Sequence, residues 1–369
     1  MKVKRILKWS AGAIFFALLA VALVAYWTSS NDCDRNTAAA SNPMKAVVYC
    51  DYGSPDVLKL EDVEKPSPGD DELLIKVHAA SVNPLDWHRM RGTPYLMRKD
   101  AGLRKPKATR LGVDFAGTVE AVGKSVTQFK PGDEVFGGRT GAFAQYVCVR
   151  ESRAVARKPS SVSFEEAASV PIAGITALQS LRDKGKVEAG QKVLINGASG
   201  GVGTFAVQIA KSFGADVTGV CSTRNLDLVR SIGADHVIDY TKEDFTQGER
   251  RYDVIFDNVA NRWMSECLRV LKPKGIYVVI GGGSANEQGL IGAMAKPIKA
   301  KLLSPFVSQK IGTMLAELNQ KDLNFLAEMM QSGQMKPVID RTYKLSEVPD
   351  AVRYLEQGHA RGKVVIAVE

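Results

Sequence analysis

The most chemically explicit residues in this sequence stand six in a row, Ala198-Ser199-Gly200-Gly201-Val202-Gly203. A strand-forming run (KVLIN, 192–196) leads directly into them, and an amphipathic run continues to Ser212. In such a strand–turn–helix unit Gly200 lets the backbone approach a pyrophosphate and Gly203 lets the helix pack closely on the strand. The helix N-terminus then offers its N–H groups to the anion. Ala198 fills the first position of the usual GxGxxG pattern. A glycine pattern alone is a weak signal, but here the strand, the helix and the following strand all arrive on schedule, which points to a dinucleotide.

About twenty residues further on, an NAD-selective protein carries an acid for the ribose hydroxyls. This chain has Cys221, Ser222, Thr223 and Arg224 there. Small hydroxyls and a guanidinium suit a 2′-phosphate, which an acid would repel, so NADPH is expected over NADH. The competing reading is that Arg224 simply opens a solvated helix.

The elements that must position this turn fall into two patterns. From residue 44 to about 163, short β-type runs (KAVVYC, LLIKVHAASV, FAGTVEAVG, DEVFG, AFAQYVCV) are separated by Gly and Pro turns, as in a barrel. Beyond that, strands alternate with amphipathic helices, as βαβ units around a parallel sheet do. A helix is expected over residues 313–331, and strand-like runs return at the C-terminus.

The chain has 369 residues, 45% hydrophobic and 24% charged, enough for two domains with substantial cores. Its net charge of +9 is spread along the chain with no basic, aromatic-studded stripe, so a nucleic-acid partner is not expected. Five cysteines, Cys33, Cys50, Cys148, Cys221 and Cys267, are odd in number and widely spaced, and read as buried or incidental thiols.

At the N-terminus, Lys2, Lys4, Arg5 and Lys8 precede an uncharged run whose apolar centre is residues 11–27. As a helix these reach roughly 26 Å, slightly short of the hydrocarbon core, and Trp9 and Trp27 suit its two interfaces. A single membrane span through residues 9–27 is expected. A cleaved signal peptide competes with it, although the nearest small-residue site, Ala38-Ala39-Ala40, is distant from the apolar run. The positive-inside rule sends the large C-terminal part away from the cytoplasm, where NADPH is normally scarce, so orientation is left open. Residues 29–43 read as a flexible linker.

Residues 190–211 (GQKVLINGASGGVGTFAVQIAK) closely resemble the signature of the quinone oxidoreductase and zeta-crystallin group of the medium-chain dehydrogenase/reductase superfamily. The resemblance extends over residues 44–369, through KAVVYCDYGSPDVLKLED, SVNPLDW, LGVDFAGTVEAVG, FKPGDEVFG, AGITAL and GKVVIAV. It implies an α/β chain: a GroES-like β-barrel domain over 44–165 completed by 335–369, and a Rossmann domain with a doubly wound parallel sheet over 166–334. An anchor (1–28) and the linker (29–43) would precede them.

Where zinc alcohol dehydrogenases place His-Glu in the barrel, this chain has Asp114-Phe115, and His78, His88, His236 and His359 have no ligand spacing. Zinc-independent hydride transfer to a quinone or an α,β-unsaturated carbonyl is therefore implied. The resemblance further implies that Asn83 and Asp86 border the nicotinamide cleft. Asn83 would hold cofactor or substrate carbonyl, and Tyr95, at the cleft mouth, would stack on or protonate the product. Thr176 would touch the nicotinamide side, Gly281 and Gly282 would let the chain pass close to the cofactor, Phe306 and Val307 would border the carboxamide, and Lys363 would face the cleft. Simpler roles compete: a turn for Asn83, a loop aromatic for Tyr95, a cap for Thr176. A 2-enoyl thioester acceptor and a weakly catalytic NADPH-binding membrane scaffold are the alternatives in function, and the relatives imply a homodimer.

Overall fold

Runs rich in β-branched residues become strands whose alternate side chains enter one of two cores. The computed structural model describes Cys33, residues 40–280 and residues 308–368. Strands β1 (Pro43–Val48) and β2 (Lys59–Glu64) form an antiparallel pair. Strands β3 (Glu72–Val82), β4 (Asp114–Val122), β5 (Glu134–Gly138), β6 (Tyr146–Arg150) and β7 (Val155–Arg157) build the barrel sheet. Leu73, Ile75 and Val77 of β3 project at a period of two into a core with Phe115, Val119, Val147 and Val149. Helix α1 (Pro84–Arg91) leaves β3 through Asn83 and ends at Gly92, whose φ of +60° is a left-handed cap.

The second unit is a six-stranded parallel sheet. It comprises β8 (Lys192–Asn196), β9 (Asp216–Cys221), β10 (His236–Asp239), β11 (Tyr252–Asp257), β12 (Leu271–Ile280) and β13 (Lys310–Met314), in the order β10-β9-β8-β11-β12-β13. The order reverses between β8 and β11, so a crevice opens at their C-terminal ends, where Asn196 and Asp257 are register partners. Both faces are covered. Val193 and Ile195 pack with α2 (Phe164–Ala168), α3 (Pro171–Gln179), α4 (Gly201–Ser212) and α7 (Gln320–Gln331), while Leu194 joins Ile255, Tyr277 and Val279 on the opposite face. Short helices α5 (Leu226–Ser231) and α6 (Met264–Arg269) follow β9 and precede β12.

The C-terminus returns to the barrel. Strand β14 (Ile339–Lys344) lies parallel to β15 (Lys363–Ala367), with α8 (Val348–Glu356) between them, and β15 pairs antiparallel with β3. Just before β15, Gly362 N donates to Ser199 O at 2.9 Å and bridges to Gly200, so the barrel's last strand starts on the glycine turn.

Three expectations need correction. Helix α7 begins at Gln320, not Thr313: Thr313 and Met314 pair with β12 in β13, and Asn319 caps the helix by accepting from Asp322 N. The cysteines are not all thiols, because Cys33 and Cys50 form a disulfide; their spacing of 17 carries no sequence signature. The linker is fastened at two places: Cys33 is buried in its disulfide, and Ser41 and Asn42 hydrogen-bond to Glu64 before β1 opens at Pro43. The expected span, residues 9–27, lies outside the described residues, as do Gly281, Gly282, Phe306 and Val307. Among the described residues no helix is long and apolar enough to cross a membrane.

Candidate active site

The glycine turn is built as the sequence implies, with one addition. Gly197, directly before Ala198, takes φ +85° and makes the tight turn that the first glycine of the usual pattern would make. A Cβ on Gly203 would lie 2.0 Å from Gly197 O, so α4 sits on the turn as closely as a backbone permits. A Cβ on Gly200 would meet nothing nearer than that same oxygen at 3.6 Å. Protein packing therefore does not require glycine at 200; an approaching phosphate would, since a Cβ there would fill the cradle at the N-terminus of α4.

The residues expected at the 2′-phosphate lie together at the end of β9, beside the glycine turn. Asn225 Nδ2 donates to Ser199 Oγ (3.0 Å) and Ser222 Oγ (3.2 Å), tying the turn to the end of β9, and its buried Oδ1 has no partner. Arg224 Nη2 donates to His359 O, which draws the loop before β15 over this end of the cleft. Sequence reasoning missed Asp239, whose carboxylate lies beside Thr223. It is turned onto the Thr223 and Thr241 hydroxyls, whose hydrogen bonds hold its pKa below the usual carboxylate range.

Across the cleft the barrel contributes a buried polar cluster. Lys363 Nζ donates to Asn83 Oδ1 at 2.6 Å and lies 3.5 Å from Asp114 Oδ2. That carboxylate also accepts from Ser81 Oγ and Asn83 Nδ2, both at 2.9 Å, and Asp114 Oδ1 accepts from Ile172 N at 3.0 Å, at the N-terminus of α3. Burial raises the pKa of Asp114 and lowers that of Lys363, each shift opposed by the charge of the other. Lys363 also touches the Rossmann side: a Cβ on Gly201 would be 3.1 Å from its Cδ. One side chain thus spans from the glycine turn to the barrel.

Asp86 lies beneath this cluster. Its Oδ2 accepts from Asn83 N at 2.8 Å, while its Oδ1 is buried without a partner. Burial, reinforced by Asp114 and opposed by the Asn83 N–H, Arg89 and Lys363, pushes its pKa up to about 7.

Of the other expected residues, Thr176 is buried in α3 and donates to Ile172 O, and Tyr95 stands exposed with the Arg98 guanidinium 4.8 Å from its ring centre. The Asn83 amide is engaged within the protein at both ends, so it holds Lys363 and Asp114 in place. Asp114 was legible only as the residue standing where a zinc dehydrogenase has histidine. Among the described residues no three His, Cys, Asp or Glu side chains gather as a metal site would require.

These features define a dinucleotide-binding protein whose cleft lies between a β-barrel and a Rossmann sheet. Residues 69–160 match the alcohol dehydrogenase GroES-like domain model and residues 232–366 the zinc-binding dehydrogenase model. The chain is 39% identical to a 2-methylene-furan-3-one reductase of Solanum lycopersicum, over 88% of this chain and 79% of that one. It is 38% identical to a chloroplastic NADPH-dependent alkenal/one oxidoreductase of Arabidopsis thaliana, over 89% and 81% respectively. A solved quinone oxidoreductase from Coxiella burnetii superposes with a TM-score of 0.75 at 32% identity, over 89% of this chain and all of that one. The chain belongs to the medium-chain dehydrogenase/reductase superfamily, in its quinone oxidoreductase group.

Proposed function

We propose that this protein is an NADPH-dependent oxidoreductase that reduces quinones or α,β-unsaturated carbonyls. The observation that carries the reading is the convergence of the glycine turn, open at Gly200, with the buried Lys363–Asn83–Asp114 cluster of the barrel. The named relatives support the same acceptors, one an alkenal/one oxidoreductase and one a quinone oxidoreductase. Bound in this cleft, NADPH supplies the hydride.

The chain's own residues do the rest. Ser199, Gly200, Gly201, Val202 and Gly203 hold the pyrophosphate, with Ala198 packed beneath the turn, and Ser222, Thr223 and Arg224 hold the 2′-phosphate. Thr176 borders the nicotinamide. Asn83 and Asp114 orient the Lys363 ammonium against the turn, and Tyr95, at the mouth, donates the proton that hydride addition leaves the product to acquire. Much of the rate comes from positioning. Gly281, Gly282, Phe306 and Val307 complete the cofactor site in this reading.

The apolar run at residues 9–27 anchors the protein in a membrane by a single span, near lipid-soluble quinones. A homodimer belongs to the same reading, and the open edge that β13 presents among the described residues supports it. The test is NADPH oxidation across quinones, alkenals and 2-enoyl thioesters. Turnover with a quinone or alkenal is expected, and none with either class overturns the reading. Arg224→Ala should raise the Kd for NADPH roughly tenfold while leaving that for NADH unchanged. An unaltered preference removes the phosphate assignment.

A further inference from the structure

Residues 94–108 connect α1 to β4 and carry Tyr95, which the proposed function sets at the cleft mouth. Eight large apolar side chains stand exposed among the described residues, and three fall within this one segment: Tyr95 (48%), Leu96 (46%) and Leu103 (40%). Interleaved with them are Arg98, Lys99, Arg104, Lys105 and Lys107, against the single acid Asp100. Apolar tips set among cations are what an anionic bilayer surface accepts, the tips entering the interface and the cations meeting headgroups.

An independent observation ties this patch to Cys33, which follows the N-terminal apolar run in the sequence. Tyr52 Oη donates to Gly102 O at 2.7 Å, the Arg98 guanidinium lies 4.2 Å from the Tyr52 ring centre, and Lys105 Nζ is 3.9 Å from Asp51. Asp51 and Tyr52 directly follow Cys50, which is bonded to Cys33. Six residue steps separate Trp27 from Cys33, at most about 20 Å of extended chain. The disulfide therefore works as a short mooring: with residues 9–27 in the bilayer, the patch is held within reach of the lipid surface.

We infer that residues 94–108 dock on the surface of an anionic bilayer, with Leu96 and Leu103 in the interface, Lys99 and Lys107 on the headgroups, and Tyr95 left at the cleft mouth. The cleft mouth then opens toward lipid, the phase that holds a hydrophobic quinone. This inference rests on the anchor reading, and its test separates the two. The full chain is placed in phosphatidylcholine vesicles with or without about 30% phosphatidylserine, and amide hydrogen exchange is followed along the chain. Exchange in residues 94–108 should slow roughly tenfold on the anionic vesicles alone. Lys99→Glu combined with Lys107→Glu should abolish that protection without altering turnover of a water-soluble quinone. Equal exchange on both vesicles, in protein that resists carbonate extraction, overturns the docking surface and leaves the anchor standing. Release by carbonate overturns the anchor and, with it, the mooring on which the docking surface depends. The same protection in detergent without lipid overturns docking in favour of contact between copies of the chain.

Discussion

At the residue scale, the buried charges on the barrel side of the cleft give the sharpest consequences. Asp86 is protonated in both folded and unfolded chains below about pH 4, the ordinary value for an aspartate. Its folded pKa is raised to about 7, so the unfolded chain ionises first as pH rises. Stability is therefore fullest below about pH 4 and is lost as pH climbs toward 7, by on the order of a few kcal/mol. In Asp86→Asn an amide oxygen can still accept from Asn83 N, and urea unfolding across pH 4 to 7 should lose this slope; an unchanged slope would mean another group produces it. Lys363 behaves oppositely on deletion. Lys363→Met leaves Asp114 charged and buried, and should cost about 3–5 kcal/mol in urea unfolding. Adding Asp114→Asn should recover part of that cost, and no recovery would show that the two do not act as a pair. The resemblance set Asp86 and Lys363 separately at the cleft and marked Asp114 only by its departure from zinc dehydrogenases, with no contact among the three implied. Their convergence depends on β15 pairing with β3, a contact between residues some 280 positions apart (Lys363 with Asn83) that no local pattern encodes.

At the element scale, the strand–turn–helix unit was legible because its signals are local: a β-branched strand, three glycines and an amphipathic helix in succession. β13 was not, because KIGTM is short and its strand identity comes from pairing with β12 rather than from its own periodicity. Nor was α1, embedded in a region that otherwise alternates as strands do, although Pro84 in its first turn and Gly92 at its end are helix signals. The turn itself allows folding and ligand roles to be separated. Gly203→Ala puts a methyl 2.0 Å from a carbonyl oxygen and should lower the unfolding midpoint whether or not cofactor is present. Gly200→Ala meets no such contact and takes φ −85°, which alanine adopts freely. Its thermal midpoint without cofactor should match that of the parent, while its Kd for NADPH rises roughly tenfold or more as the cradle fills. Equal loss of stability in both variants would show that Gly200 serves packing alone.

At the scale of the whole molecule, the disulfide and the N-terminal charges bear on the same question. If residues 9–27 span a membrane as proposed, Lys2 to Lys8 ahead of them favour a cytoplasmic N-terminus and a domain on the opposite side. A disulfide persists in oxidising compartments and is rare where glutathione and thioredoxin keep thiols reduced. Neither signal depends on the other, and within the anchor reading both agree with a domain outside the reducing compartment, the side on which NADPH is scarce. The cysteine count could not reveal this, because the pairing depends on Cys33 being buried against Met44, Ala46, Val48 and Val63, a tertiary contact with no local signature. In membranes from the native host, alkylation before reduction should leave Cys33 and Cys50 unmodified and reduction should expose them. Protease added from the non-cytoplasmic side should digest the domain. Free Cys33 and Cys50 together with protection from that protease would instead put the domain where NADPH is plentiful. Stability supplies an independent readout: Cys33→Ser with Cys50→Ser should cost about 3 kcal/mol, the value expected for a closed loop of this length. An unchanged unfolding curve would show that the bond does not restrain the chain, and the mooring of residues 94–108 would lose its basis.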